Sequence, residues 1–270
     1  MPIGTCHLCQ TADVDTLSSH YMPAGFHRIV QDGGPHATQI VGTVALLSSR
    51  QQQAYLLCQK CETRFQQRGE DWVIERCWRS ATEFKLLDIL ERQKPLDSGP
   101  GIRVFDGRRT PGVDLDQIVY LAASIFWRGG VRKWNPPTQP THPELSGDID
   151  LGEHLEPFRL FLLDNGPFPQ NVFLSVWIEN TRGRMDNQYC IPPFMPFNEG
   201  YMILRSYVPG LVFTLSIGSA VGGATQRTCT VRSGYLVVCS SRELRRTEID
   251  KRARESERKG KLKQIAGNKF

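Results

Sequence analysis

No stretch of this 270-residue chain stays apolar over the roughly 18 residues that a membrane-spanning helix needs. The longest candidate, Tyr201 to Val221, is interrupted by Arg205 and carries Pro209, Gly210 and Gly218. A secretory signal is missing too, since the first residues meet cysteines and polar side chains at once and offer no apolar core region. Cysteine is scarce: eight residues are too few for a disulfide scaffold at this length, and without an export signal the default compartment is reducing. Together these absences predict a soluble, cytoplasmic protein that makes no membrane contact. Internal repeats are absent, and the second half holds no Gly-rich phosphate loop, no nucleophile elbow and no metal-ligand cluster. Wholesale disorder is excluded in turn, because 40% of the residues are hydrophobic and only 23% are charged.

What the chain does have is a pattern in its cysteines. Cys6-His7-Leu8-Cys9 and Cys58-Gln59-Lys60-Cys61 are two Cys-x-x-Cys pairs, while Cys77, Cys190, Cys229 and Cys239 stand alone in apolar surroundings and read as core residues. Each pair can present two thiolates from one tight turn, and two such turns complete a tetrahedron around Zn²⁺. A four-cysteine site leaves no open position, so this zinc is expected to hold the fold and not to activate water. A thioredoxin-like redox motif is the competing reading, weakened by the presence of two pairs and by the lack of a strand before the first. A knuckle with Cys6 and Cys9, an extended hairpin, and a helix whose start carries Cys58 and Cys61 is the order of a treble clef.

Organisation follows from periodicity and turn signals. From Glu62 onward Phe65, Trp72, Val73 and Cys77 recur at helical intervals, and Ala37 to Ser48 reads as strand, half of a hairpin. A second helix is expected at Ser80, which forms a Ser-x-x-Glu capping box with Glu83 ahead of Phe84, Leu87 and Leu90. A third spans Asp114 to Trp127 and closes at Gly129-Gly130. Pro136, Pro137, Pro140 and Pro143 mark a boundary, because proline at this density continues neither a helix nor a central strand. A helix over Leu151 to Leu163 then precedes strands at Asn171 to Ile178, Tyr201 to Tyr207, Leu211 to Ile217, Cys229 to Val231 and Tyr235 to Ser240. Their short connections favour antiparallel pairing. The expected class is α+β: a treble-clef zinc domain over residues 1–78, a helical connector over 79–134, an α+β domain with a mainly antiparallel sheet over 148–240, and a basic charged helix or tail over 241–270. Residues 148–240 are the expected surface for a protein partner or a second copy of the chain.

The succession Cys6-x-x-Cys9, Ser19-His20-Tyr21-Met22-Pro23 and Leu56-Leu57-Cys58-x-x-Cys61-Glu62 resembles the zinc-containing branch of the HNH, or His-Me finger, nucleases over the first 75 residues. The resemblance implies a ββα-metal unit and a metal-dependent endonuclease acting on nucleic-acid phosphodiester bonds, DNA first, in bacterial defence or genome conflict. Such hydrolysis needs a base to activate water and a divalent cation to stabilise charge on the phosphate. On matching positions the base is His20, and Glu62 takes the place of a metal-binding histidine as ligand of Mg²⁺ or Mn²⁺. Glu70 or Asp71, two turns further on, and the spare imidazoles His27 and His36 are candidates for the same cation, although His27 and His36 read more simply as surface or hydrogen-bonded histidines. Ser19 stands where the family commonly carries an acidic ligand, and no asparagine precedes Asn135. The alternative, from a different class, is a non-catalytic zinc-stabilised binding module or complex subunit.

A nuclease also needs phosphate contacts, and residues 1–75 carry five basic against seven acidic side chains. In Trp127-Arg128-Gly129-Gly130-Val131-Arg132-Lys133-Trp134, cations alternate with aromatics that can stack on bases, which makes Arg128, Arg132 and Lys133 candidate nucleic-acid contacts. The plainer reading is a helix carboxyl terminus with buried tryptophans and basic residues complementing the dipole. The net charge of +5 belongs elsewhere: Arg242 to Phe270 holds eleven basic and five acidic residues, so the rest of the chain is close to neutral. If this tail supplies non-specific affinity, deleting residues 242–270 flattens the salt dependence of nucleic-acid binding in a filter or anisotropy assay, and an unchanged slope removes the tail from the interface.

Overall fold

The computed structural model describes residues 1–31, 37–41, 44–48, 51–78, 83–132, 134, 149–180, 189–195, 201–240 and 257–259. The chain opens with strands β1 (Ile3–Gly4) and β2 (Val14–His20), helix α1 (Ala24–Gln31), the hairpin β3 (Ala37–Val41) and β4 (Val44–Ser48), and strand β5 (Gln53–Cys58). β1, β2 and β5 form a small antiparallel sheet in that order, with Thr16 opposite Cys58 and His20 opposite Gln53. Helix α2 (Gln59–Phe65) leaves β5 directly, passes through a π-helical turn (Gln66–Glu70) and continues as α3 (Asp71–Cys77). The expected helix from Glu62 to Cys77 is thus present, with one wide turn in its middle.

Helices α4 (Lys85–Glu91) and α5 (Leu115–Val131) flank a hairpin of β6 (Asp97–Gly99) and β7 (Ile102–Asp106). Asp114 caps α5 by accepting from the Gln117 N–H at 3.1 Å, and α5 is buried on nearly every side, which makes it the central post of the molecule. After α6 (Leu155–Leu162) come β8 (Val172–Asn180), β9 (Tyr189–Phe194), β10 (Met202–Val208), β11 (Leu211–Ile217), two short helices α7 (Gly223–Arg227) and α8 (Thr230–Ser233), and β12 (Tyr235–Ser240). Seven of these strands make a mixed sheet in the order β9-β10-β11-β8-β12-β7-β6, antiparallel except for the β8–β12 pair. The hairpin β3–β4 extends it, β3 lying parallel to β9, and β13 (Glu257–Lys259) adds to β4. Pro209-Gly210 makes the two-residue turn between β10 and β11, and Gly210 takes φ +78°, a conformation favouring glycine. One hydrophobic core runs from Leu8 through Phe65 and α5 to Leu236 and Val238.

Several expectations change. Cys229 to Val231 is not a strand: α8 begins at Thr230, whose hydroxyl donates to the Tyr235 carbonyl and accepts from the Val176 N–H, and three apolar residues carry no period that separates helix from strand. The helix expected from Ser80 begins at Lys85, after Phe84, and the capping residue itself lies outside the described residues. The proline-rich segment 135–147 and most of the basic tail also lie outside them, but Glu257–Lys259 pairs as a strand where a helix or free tail was expected. No described helix is long and apolar enough to cross a membrane. Cys77, Cys190, Cys229 and Cys239 are buried, as expected of core thiols.

The π turn carries Gly69. Gly69 lies against the backbone of α5, where an added Cβ would stand 3.0 Å from the Leu121 nitrogen and 3.1 Å from its Cα. Backbone atoms cannot swing aside, so Gly69→Ala is expected to lower stability by about 1–3 kcal/mol. Thermal or urea unfolding checks this, and a neutral Gly69→Ala would show that the two helices do not meet this closely.

Candidate functional site

Cys6 and Cys9 sit on a knuckle between β1 and β2. The Gln10 N–H donates to the Cys6 carbonyl at 2.8 Å, Gln10 takes a left-handed φ of 60°, and the His7 N–H donates to the Leu56 carbonyl at 3.0 Å, tying the knuckle to β5. Cys58 ends β5 and stands at the start of α2, with Cys61 in the first turn. The four Sγ atoms lie within 4.8 Å of one another, and those of Cys9 and Cys58 are 3.8 Å apart. A tetrahedral zinc with bonds of about 2.3 Å has sulfur–sulfur edges of about 3.8 Å, so the donor set suits such an ion. All eight cysteines are free thiols. The Cys6 thiol is pushed down to about 4 by the hydrogen bond it receives from Cys61, against the opposing effect of burial and with help from the backbone N–H groups of Cys58 and Cys9. The Cys61 thiol, which donates to Cys6, is pushed up correspondingly. The cluster thus already favours a thiolate, and a dication extends that preference to all four sulfurs.

His20 closes β2. The Gln53 amide nitrogen lies 2.6 Å from its Nε2, and an amide nitrogen can only donate, so in this contact Nε2 is the accepting ring nitrogen. Burial first and the Arg128 cation second hold His20 below its ordinary value, with Glu70 opposing. Glu62, one residue past Cys61, accepts from the Ser19 hydroxyl at 2.9 Å, so helix α2 packs over the strand that carries His20. The π turn matters for Glu70. Eight residues of regular α-helix would put it about 80° away from Glu62, and a wide i→i+5 turn brings it back toward the same face.

The residues expected to hold a catalytic cation are Glu62, Glu70 or Asp71, His27 and His36. Among the described residues the four cysteines are the only set of three or more His, Cys, Asp or Glu side chains that converge within ligand range. Glu62 is engaged by Ser19, and Glu70 by Arg128 Nη2 at 2.6 Å. His27 is buried in α1, 4% exposed, and is not at the surface, where one reading puts it: burial and the neighbouring His20 push it down to about 4, and its Nδ1 has no hydrogen-bond partner among the described residues. Asp71 is in the first turn of α3, and His36 lies outside the described residues.

Among the described residues of the segment Trp127 to Trp134, the two tryptophans and Arg128 are buried and Arg132 is exposed. Arg128 is 1% exposed, with its guanidinium over the Phe65 ring at 4.7 Å, and a cation so enclosed is not offered to a phosphate. Trp127 and Trp134 are buried. Arg132 is exposed and donates to the Tyr55 carbonyl at 3.4 Å, while Lys133 lies outside the described residues. Arg103 pairs with Glu91, and Arg108 donates to the Val231 carbonyl.

Sequence reasoning missed Gln53, the exposed Tyr55 two residues further along the same strand face, and the grip of α6 on the metal-binding region. Arg159 Nη1 donates to the Leu8 carbonyl inside the knuckle at 2.7 Å, and Asp164 accepts from both Arg64 and Arg68 of the head. Only the clustering of Arg64 and Arg68 on one helix face hinted at such a partner. Comparison of the chain with protein-family models, with curated proteins and with solved structures returns no match.

Elemental analysis of purified protein is expected to find about one zinc per chain, with Cys58→Ser lowering the unfolding midpoint by about 5 °C or more. Affinity for the metal should fall as pH falls, because protons and the ion compete for the same sulfurs. A metal-free, fully stable protein would remove the centre.

Proposed function

We propose that this protein is an HNH-like nucleic-acid hydrolase whose head is a treble clef closed by zinc at Cys6, Cys9, Cys58 and Cys61. The observation that carries it is the β2–β5–α2 unit: one antiparallel ladder, His20 at the open end of its first strand, and a helix that springs from the cysteines at the other end and lays Glu62 against Ser19. That is the order of strand, strand and helix in a ββα unit.

In this reading His20 is the general base. Its depressed proton affinity leaves the ring neutral at pH 7, and the lone pair on Nε2 takes a proton from the water that attacks phosphorus. Gln53 occupies that lone pair in the resting chain and is the group displaced, or shared, when water enters. Tyr55, exposed on the same strand, offers a stacking face for an adjacent base. Among the described residues no set of three or more ligand side chains includes Glu62 and Glu70, so no step is assigned to Mg²⁺ or Mn²⁺. A binding module without turnover is the second reading, favoured by the engagement of both carboxylates with Ser19 and Arg128.

Plasmid and single-stranded substrates incubated with Mg²⁺ or Mn²⁺ separate the two. The hydrolase predicts cleavage that falls about a hundredfold or more in His20→Ala. Because the base must be unprotonated, the rate should be flat above the ordinary histidine value of 6.5 and decline only on further acidification. No cleavage with any metal or substrate, or full activity in His20→Ala, leaves the binding module.

A further inference from the structure

Where the head meets the second half of the chain, a cavity of about 200 Å³ opens between the π turn, the first turns of α5, the end of α6 and α8. Its apolar surface comes from Leu115, Val119, the Tyr120 ring and Phe161. The hydroxyl groups beside that surface are already bonded elsewhere: Tyr120 donates to the Leu162 carbonyl at 2.7 Å, and Thr230 is held between Val176 and Tyr235. Arg68 stands over the Tyr120 ring at 5.3 Å and gives both terminal nitrogens to Asp164, so this part of the wall is a closed ion pair. The two remaining charges differ from that pair. Among the described residues the Arg108 guanidinium donates only to a neutral acceptor, the Val231 carbonyl at 2.9 Å, and the Asp116 carboxylate has no partner. Both line the cavity, and they do not pair with each other.

A volume of about 200 Å³ lies below the roughly 300 Å³ at which sites for drug-sized ligands begin, and at roughly 30 Å³ per molecule it holds about six or seven waters. A whole nucleotide is too large for it. A polyanion is also disfavoured, because the carboxylates of Asp116 and Asp164 line the same space as the two guanidinium groups. What fits is a small molecule with an apolar body and one charge of each sign. We propose that this cavity binds a free α-amino acid with an apolar side chain, its carboxylate on Arg108, its ammonium on Asp116 and its side chain against Val119 and Phe161. A guanidinium offers a carboxylate two parallel donors, which fixes orientation as well as charge. The apolar wall supplies what the charges lack, since an exposed ion pair contributes little unless apolar burial accompanies it. The cavity contains neither His20 nor the four cysteines, so the proposal stands apart from the hydrolase reading. Because Arg68 and Asp164 form part of the wall, a bound amino acid also braces the joint between head and second half.

The test is an NMR chemical-shift titration of the full-length, zinc-loaded protein with L-leucine and L-phenylalanine, followed by the amide and the N-acetyl derivative of each and by inorganic phosphate. At least one of the two amino acids should bind with a Kd of about 1 mM or below and raise the unfolding temperature as it saturates the site. Removing either charge from that ligand should weaken binding about tenfold or more. The variants then assign each charge to its partner. Arg108→Gln should weaken the amino acid and leave the amide, which has no carboxylate, as it was. Asp116→Asn should weaken the amino acid and leave the N-acetyl form, which has no ammonium, as it was. Both side chains are exposed, so both variants should fold, and a loss of packing alone would weaken every ligand by the same factor. The proposal is overturned if neither amino acid binds, if the derivatives bind as tightly as their parent, or if phosphate binds in their place. Variants that weaken all ligands equally, or none, overturn it as well.

Discussion

Four cysteine sulfurs gathered into one small volume repel one another once ionised, and they stay together only by sharing protons or a cation. That constraint sets the geometry of everything near it. The β2–β5 ladder begins where Thr16 faces Cys58 and ends where His20 faces Gln53, so the cluster pins one end of the register and the histidine sits at the other. A slip of one residue would move His20 to the opposite face of the sheet. Helix α2 starts from the same cysteines, which fixes the origin from which Glu62, the π turn and Glu70 are counted.

The head is also gripped from the second half of the chain. Arg159 reaches the carbonyl between the two knuckle cysteines, and Asp164, in a left-handed conformation at φ 61°, draws in Arg64 and Arg68. Each exposed ion pair contributes little alone, on the order of 1 kcal/mol or less, but these converge on one short helix end and are supported by apolar packing beneath them. The parallel pairing of β3 with β9 makes a further link, through backbone hydrogen bonds. The post on which both halves lean is α5, whose burial on nearly all sides follows from its apolar sequence.

Much of this was legible in the residues. The two Cys-x-x-Cys pairs, the helix from Asp114, and the strands Leu211–Ile217 and Tyr235–Ser240 all carry strong local signals and stand where spacing and periodicity place them, whereas Ala37 to Ser48, expected as one strand and half of a hairpin, holds both strands of it. What could not be read was whatever depends on approach between distant segments. The π turn over Gln66–Glu70 and the closeness of Gly69 to Leu121 are announced by no local pattern. Trp-Arg-Gly-Gly-Val-Arg-Lys-Trp has the composition of a nucleic-acid patch, and only the partners Glu70, Phe65 and Tyr21 reveal that Arg128 and Trp134 within it are enclosed, while Arg132 is exposed. Cys229 to Val231 shows the other limit, since its helical turn is set by hydrogen bonds from Thr230 to Val176 and Tyr235.

The placement of α5 has a consequence for biogenesis. All four cysteines have been synthesised by residue 61, so the metal centre can close early, while the Tyr21–Trp134 stack and the Arg128–Glu70 pair must wait for residues 128 to 134. The mixed sheet waits longer still, because β3 finds its partner only when Tyr189–Phe194 arrives. Vectorial synthesis, which lets amino-terminal units fold first, therefore yields a nascent chain with a closed metal knuckle and an unfinished histidine environment. Timing alone would leave the surroundings of His20 incomplete until residues 128 to 134 have left the ribosome.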